Sequence, residues 1–80
     1  MRGLDYANPQ HSFNNGNTYT AIQNGVLIGI VGYYTTLTIN NTEITYDNYG
    51  NQESICIPIS KGDTISISSG VRTLNLFNYL

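Results

Sequence analysis

The sequence predicts an all-β chain, a small antiparallel β-sandwich, and three observations carry that expectation. Apolar residues alternate along the chain instead of recurring at i, i+3 and i+4, so no helix of useful length is signalled. β-branched residues and Tyr dominate the apolar runs. Turn signals recur at the spacing of roughly 8–12 residues that marks a sandwich or barrel of short strands.

The elements follow in order. Residues 1–17 are rich in Asn, Gly and Pro and read as an irregular arm; residues 18–80 read as the sandwich. Thr18 to Ala21 forms a short strand, and Gln23-Asn24-Gly25 a turn. Val26 to Val31 is a strand between Gly25 and Gly32. Thr36 to Ile39 and Glu43 to Tyr46 form a hairpin across Asn40-Asn41, a pair suited to a type I′ turn because Asn tolerates positive φ. Asp47 to Asn51, with Gly50, is a loop. Ser54 to Ile59 is a strand with Ile55, Ile57 and Ile59 on one face. Ser60 to Asp63 is a tight turn in which Gly62 supplies a permissive backbone and Asp63 accepts from nearby amides, so Lys61 and Asp63 read as turn structure. Thr64 to Ser68 alternates cleanly, Ser69-Gly70 turns the chain, and Arg72 to Leu80 is the last strand. Pro58, which cannot donate to a ladder, belongs at an edge, a strand end or a bulge.

Two strands are apolar on both faces. Val26, Ile28 and Ile30 oppose Leu27, Gly29 and Val31; Leu74, Leu76 and Leu80 oppose Phe77 and Tyr79. A two-layer sandwich uses one apolar face per strand. A second face then meets another copy of the chain, with Leu27, Gly29, Val31, Leu74, Leu76, Phe77 and Tyr79 as the candidate interface, or is covered by the arm through Leu4, Tyr6 and Phe13. Each large side chain so buried contributes roughly 1.5–3 kcal/mol.

Size and composition point the same way. Eighty residues make one thin domain, the kind that usually needs disulfides, a metal or partner subunits. Cys56 is the single cysteine and His11 the single histidine, which excludes an intrachain disulfide and an ordinary zinc site. No metal or other cofactor is expected. The net charge of −2, with only Arg2, Lys61 and Arg72 as cations, gives no footprint for nucleic acid. No apolar run reaches the roughly 18–20 residues of a membrane span, and no apolar region after Arg2 reads as a signal peptide. Asn, Ser, Thr and seven Tyr give a neutral, hydrogen-bonding surface of the extracellular or virion kind.

The chemistry read from the residues is binding, and no enzyme is expected. Cys56, between Ile55 and Ile57, is expected as a buried structural thiol and not as a nucleophile served by His11. Glu43, Asp47 and Glu53 are rim carboxylates more than a glycosidase pair. Asn40-Asn41-Thr42 fits a glycosylation sequon that the hairpin turn already explains. The candidate ligand contacts are Tyr33, Tyr34, Tyr46, Asp47, Asn48, Tyr49 and Asn51: aromatic faces stack on sugar rings while Asn and Asp bond hydroxyls. The alternative is that these Tyr residues cap the sandwich ends or line a subunit interface.

A resemblance adds to this reading. Asp5-Tyr6, then Thr18-Tyr19-Thr20-Ala21 and Asn24-Gly25-Val26, resemble the opening of small phage tail-fibre and head-fibre tip domains. Thr38 to Ile44 is similar to their Asn-Gly hairpin, Ile57 to Ile65 to their Pro-x-x-Lys-Gly-Asp corner, and Phe77 to Leu80 to their closing segment. Ile22-Gln23 and Asn41 depart from the pattern, and the corner also occurs in sandwiches of the complement and tumour-necrosis-factor type. The resemblance implies a jelly-roll-like knob, usually a homotrimer, that binds a host surface component such as a glycan from the virion and joins other virion proteins through the arm. Two further readings compete: a capsid-decoration or assembly protein with no host ligand, and a bacterial secreted carbohydrate-binding or adhesin domain.

Overall fold

The computed structural model describes residues 3–47 and 51–80. It is all-β, with eight strands: β1 (His11–Ser12), β2 (Thr18–Thr20), β3 (Gly25–Val31), β4 (Thr35–Ile39), β5 (Thr42–Tyr46), β6 (Glu53–Ile59), β7 (Thr64–Ile67) and β8 (Val71–Asn78). They form two antiparallel four-stranded sheets, ordered β1-β8-β3-β6 and β2-β7-β4-β5. The pairs β1 with β8, β2 with β7, β3 with β6 and β4 with β5 describe one long antiparallel ribbon with the β4–β5 hairpin at its tip. The ribbon is rolled so that β3 also meets β8 and β4 also meets β7.

The inner faces of the two sheets enclose a single core. Leu27, Val31, Ile55, Ile59, Leu74 and Leu76 come from one sheet and Leu37, Ile65 and Ile67 from the other, with Phe13 and Ala21 beside them. The outer face of the second sheet is what period-2 alternation predicts for a wet side. Thr18, Thr20, Thr36, Thr38, Thr45, Thr64 and Ser66 cover it, with cross-strand hydroxyl pairs Thr18–Ser66 at 2.9 Å and Thr20–Thr64 at 3.1 Å.

Two expectations are corrected here. The segment before Thr18 is not an irregular arm: β1 pairs with β8, Leu4 bridges to Tyr79, and the Asp5, Gln10 and Phe13 amides donate to the carbonyls of Asn78, Leu76 and Leu74 at 2.7–2.9 Å. Its Asn and Pro residues hid the pairing because only His11–Ser12 is regular strand, while Phe13 enters the core. The second correction concerns the proposed interface. Leu27, Val31, Leu74 and Leu76 are at most 2 % exposed, and Gly29 is buried, so all five sit inside the chain's own core. Alternation separates two faces without saying which is inward, and in strands apolar on both sides that choice falls to the rest of the fold. Phe77 lies on the opposite face, edge-on to Tyr6 at 5.1 Å, and Tyr79 is 43 % exposed.

The turn chemistry is local. Asn40 and Asn41 form the two-residue hairpin loop, but only Asn40 has positive φ (56°), so the turn is not type I′. The Asn40 side chain is used across the end of the sandwich: its Nδ2 donates to Asp63 Oδ1 at 3.2 Å and its Oδ1 accepts from the Thr64 amide at 3.1 Å. Asp63 Oδ2 accepts from the Ser60 amide at 2.9 Å, and Asn24 Oδ1 from the Lys61 amide at 2.8 Å. Asp63 is therefore a structural residue of the corner.

Candidate functional site

With that end of the sandwich tied by side-chain amides, the opposite end holds the candidate contacts. Register places it: Val31 faces Glu53 and Val71, and Thr35 faces Tyr46, so residues 32–34, Asp47, residues 51–52 and residues 68–70 meet there. Its frame is fixed. The Gly32 amide donates to the Gly70 carbonyl at 2.7 Å, and the fully buried Thr35 donates from Oγ1 to the Gly32 carbonyl at 3.1 Å. The Val71 amide donates to Asn15 Oδ1 at 3.0 Å. Gly70, at φ 78°, brings its main chain against Thr35 Oγ1, where a Cβ would collide.

On this frame Tyr33 and Tyr34 stand side by side, ring centroids 4.1 Å apart and planes tilted by 35°. Tyr34 is 62 % exposed and Tyr33 37 %. Tyr34 has φ 58°, a left-handed backbone that is uncommon for a bulky side chain and costs about 1–2 kcal/mol. Its ring is not buried in return. The side-chain hydrogen bond to Tyr34 raises the Tyr33 phenol above its ordinary pKa, with burial and the negative charge of Asp47 acting in the same direction.

The structure gathers Tyr33, Tyr34, Tyr46, Asp47 and Asn51 at one end and separates their roles. Tyr46 packs against the core as a half-buried cap. Burial, with Glu53 nearby, raises its pKa above 10.0. The folded protein thus holds the Tyr46 proton more tightly than the unfolded chain. That stability is complete below about pH 10 and is lost as pH rises through the folded value. Melting temperature is expected to fall more steeply above pH 10 in the wild type than in Tyr46→Phe; parallel curves would contradict it. Asn48 and Tyr49 lie outside the described residues.

One residue escaped sequence reasoning. Between Ile30 and Val31 the β3–β8 register jumps from Thr73 to Val71, leaving Arg72 as an unpaired extra residue. The guanidinium is brought within reach of Gly32, whose Cβ would lie 3.6 Å from Nη2, next to the two tyrosines in the chain. A bulge of this kind leaves no mark in the residue pattern.

His11 and Cys56 lie on opposite faces of their sheet. His11 lies on the inner face, stacked on Tyr19 at 4.2 Å with Nε2 buried and without a hydrogen-bond partner. Cys56 is exposed on the outer face of β6, which corrects the expected buried thiol; outward positions pair with outward positions, and its partner Ile28 faces out. Among the described residues no three His, Cys, Asp or Glu gather to hold a metal ion. Comparison with protein-family models, curated proteins and solved structures gave no match.

Proposed function

We propose that this chain is a non-catalytic carbohydrate-binding module of jelly-roll type, serving as the tip of a phage tail or head fibre that attaches to a host surface glycan. The observation that carries the reading is Tyr34. A large aromatic residue on a left-handed backbone, itself 62 % exposed, carries strain at a place where burial returns little. Such strain is characteristic of a side chain kept for contact with something else.

The rest of the end supports it. Tyr33 and Tyr34 offer a stacking surface for a sugar ring, Asp47 and Asn51 bring acceptors, and Arg72 brings donors for ring hydroxyls. The strand orders β1-β8-β3-β6 and β2-β7-β4-β5 suit an eight-stranded jelly roll, an architecture frequent among viral and lectin domains. The fibre-tip assignment rests on the likeness of the Asp5-Tyr6, Thr18 to Val26 and Ile57 to Ile65 segments to that family.

The test is Tyr34→Asn. Asn accepts positive φ, so the variant is expected to melt at or above the wild-type temperature, by up to about 4–8 °C for each kcal/mol of strain relieved. Binding to a glycan array and to host cells is expected to drop at least tenfold. Unchanged binding, or a loss of binding that merely tracks unfolding, would remove the reading.

A further inference from the structure

Two cations lie among the described residues, and they stand at opposite ends of the sandwich. Lys61 is in the corner tied by Asn24, while Arg72 is at the tyrosine end. Its place there is built into the ladder. The β3–β8 register passes from Thr73 to Val71 opposite Ile30 and Val31, and the skipped Arg72 has no partner across the strands. The Gly32 amide, donating to the Gly70 carbonyl at 2.7 Å, holds the chain before Arg72 against the chain before Tyr33. The guanidinium comes to lie over Gly32, with Nη2 and Nε 3.6 and 3.7 Å from where a Cβ would stand.

The charges of this end are sorted. The Tyr33 phenol is raised in pKa by its hydrogen bond to Tyr34, by burial and by the negative charge of Asp47; Tyr46 is raised by burial and by Glu53. Both carboxylates thus act on the phenols. Arg72 is exposed and, among the described residues, forms no ion pair. For neutral contacts this chain relies on Asn, Gln, Ser and Thr, as its cross-strand hydroxyl pairs and the amides of Asn24 and Asn40 show. Ring hydroxyls alone would need no more than that. A guanidinium adds what an amide lacks, a positive charge on a rigid fork of donors.

We infer that the glycan taken at this end is acidic, and that Arg72 holds the carboxylate or phosphate of the sugar whose ring lies against Tyr34. The inference rests on the glycan reading and names its ligand class. The planar fork meets either anionic group with two parallel N–H···O bonds. Asp47 and Glu53 repel further negative charge, so the end suits one acidic sugar among neutral ones and rejects a polyanion. Arg72 is then the residue that sets specificity, and the tyrosines supply the stacking surface.

The test presents the full chain with an array of neutral, carboxylate-bearing and phosphate-bearing glycans, the carboxylates also as their methyl esters. The wild type is expected to bind acidic glycans about tenfold or more above neutral ones. Loss of that excess on the methyl esters identifies a carboxylate; an excess confined to the phosphate-bearing set identifies a phosphate. Arg72→Gln changes an exposed side chain and is expected to melt as the wild type does. Its signals on acidic and neutral glycans are expected to become equal. Equal binding of acidic and neutral glycans by the wild type overturns the inference and leaves the glycan reading standing. So does an Arg72→Gln protein that keeps the acidic excess. Binding to no glycan of any class overturns both.

Discussion

Replacing Gly29 by valine is expected to abolish folding. Gly29 lies on the inner face of β3, between Ile55 of β6 and Leu74 of β8. A Cβ there would run into the Thr73 carbonyl oxygen, 2.7 Å from Leu74 Cα and 2.8 Å from Leu74 Cδ1. The first two are main-chain atoms held by the ladder. β3 is bonded on both sides, so neither neighbour can withdraw without breaking pairs on the other. Ordinary overpacking costs about 1–3 kcal/mol by moving side chains. Here the backbone itself must move, against a total stability of about 5–15 kcal/mol that is low for so small a chain. Far-UV circular dichroism and soluble yield read the outcome. Gly32→Ala is the control, because its Cβ meets nothing closer than 3.6 Å. A Gly29→Val protein that folds and melts like the wild type would mean that β3 and β8 do not approach as described.

The neighbouring pair Leu27 and Ile28 gives the second large effect. Leu27 is fully buried in the core, and Leu27→Ala is expected to cost about 2–5 kcal/mol through lost burial and a residual cavity. Ile28, one residue on, is half-buried on the outer face, and Ile28→Ala is expected to cost less than about 1.5 kcal/mol in dilute protein. At about 4–8 °C per kcal/mol the two melting curves separate clearly. Equal losses, or the reverse order, would show that β3 presents its other face to the core.

That pair marks how far the sequence could be read. Strand existence, the hairpin at Asn40-Asn41 and the corner at Gly62-Asp63 were legible because each depends on neighbours within a few residues: alternation, a positive φ, an acceptor beside free amides. Four features were not legible. The inward face of β3 depends on what the other sheet offers, so Leu27 reads as a candidate interface residue and lies in the core. The strand at His11–Ser12 is recruited by β8, more than sixty positions away in the sequence, and its own composition argues for coil. At the tyrosine end, Tyr33 and Tyr34 were visible as exposed aromatics. The left-handed backbone of Tyr34 and the bulge at Arg72 were not, because both are local distortions set by the ladder around them. Tyr46 had the right composition for a contact residue and serves as a cap.

The ribbon-like pairing of first strand with last carries a consequence for how the molecule comes into being. As strand residues His11 and Ser12 pair with Leu76 and Asn75, so they find their partner only after more than sixty further residues have emerged. Contacts so distant in sequence are slow to form, since a long loop must be closed before any bond rewards it. During synthesis the β4–β5 hairpin is the earliest pair available. The pairs that follow, β3 with β6, β2 with β7 and β1 with β8, each close a longer stretch of chain than the one before.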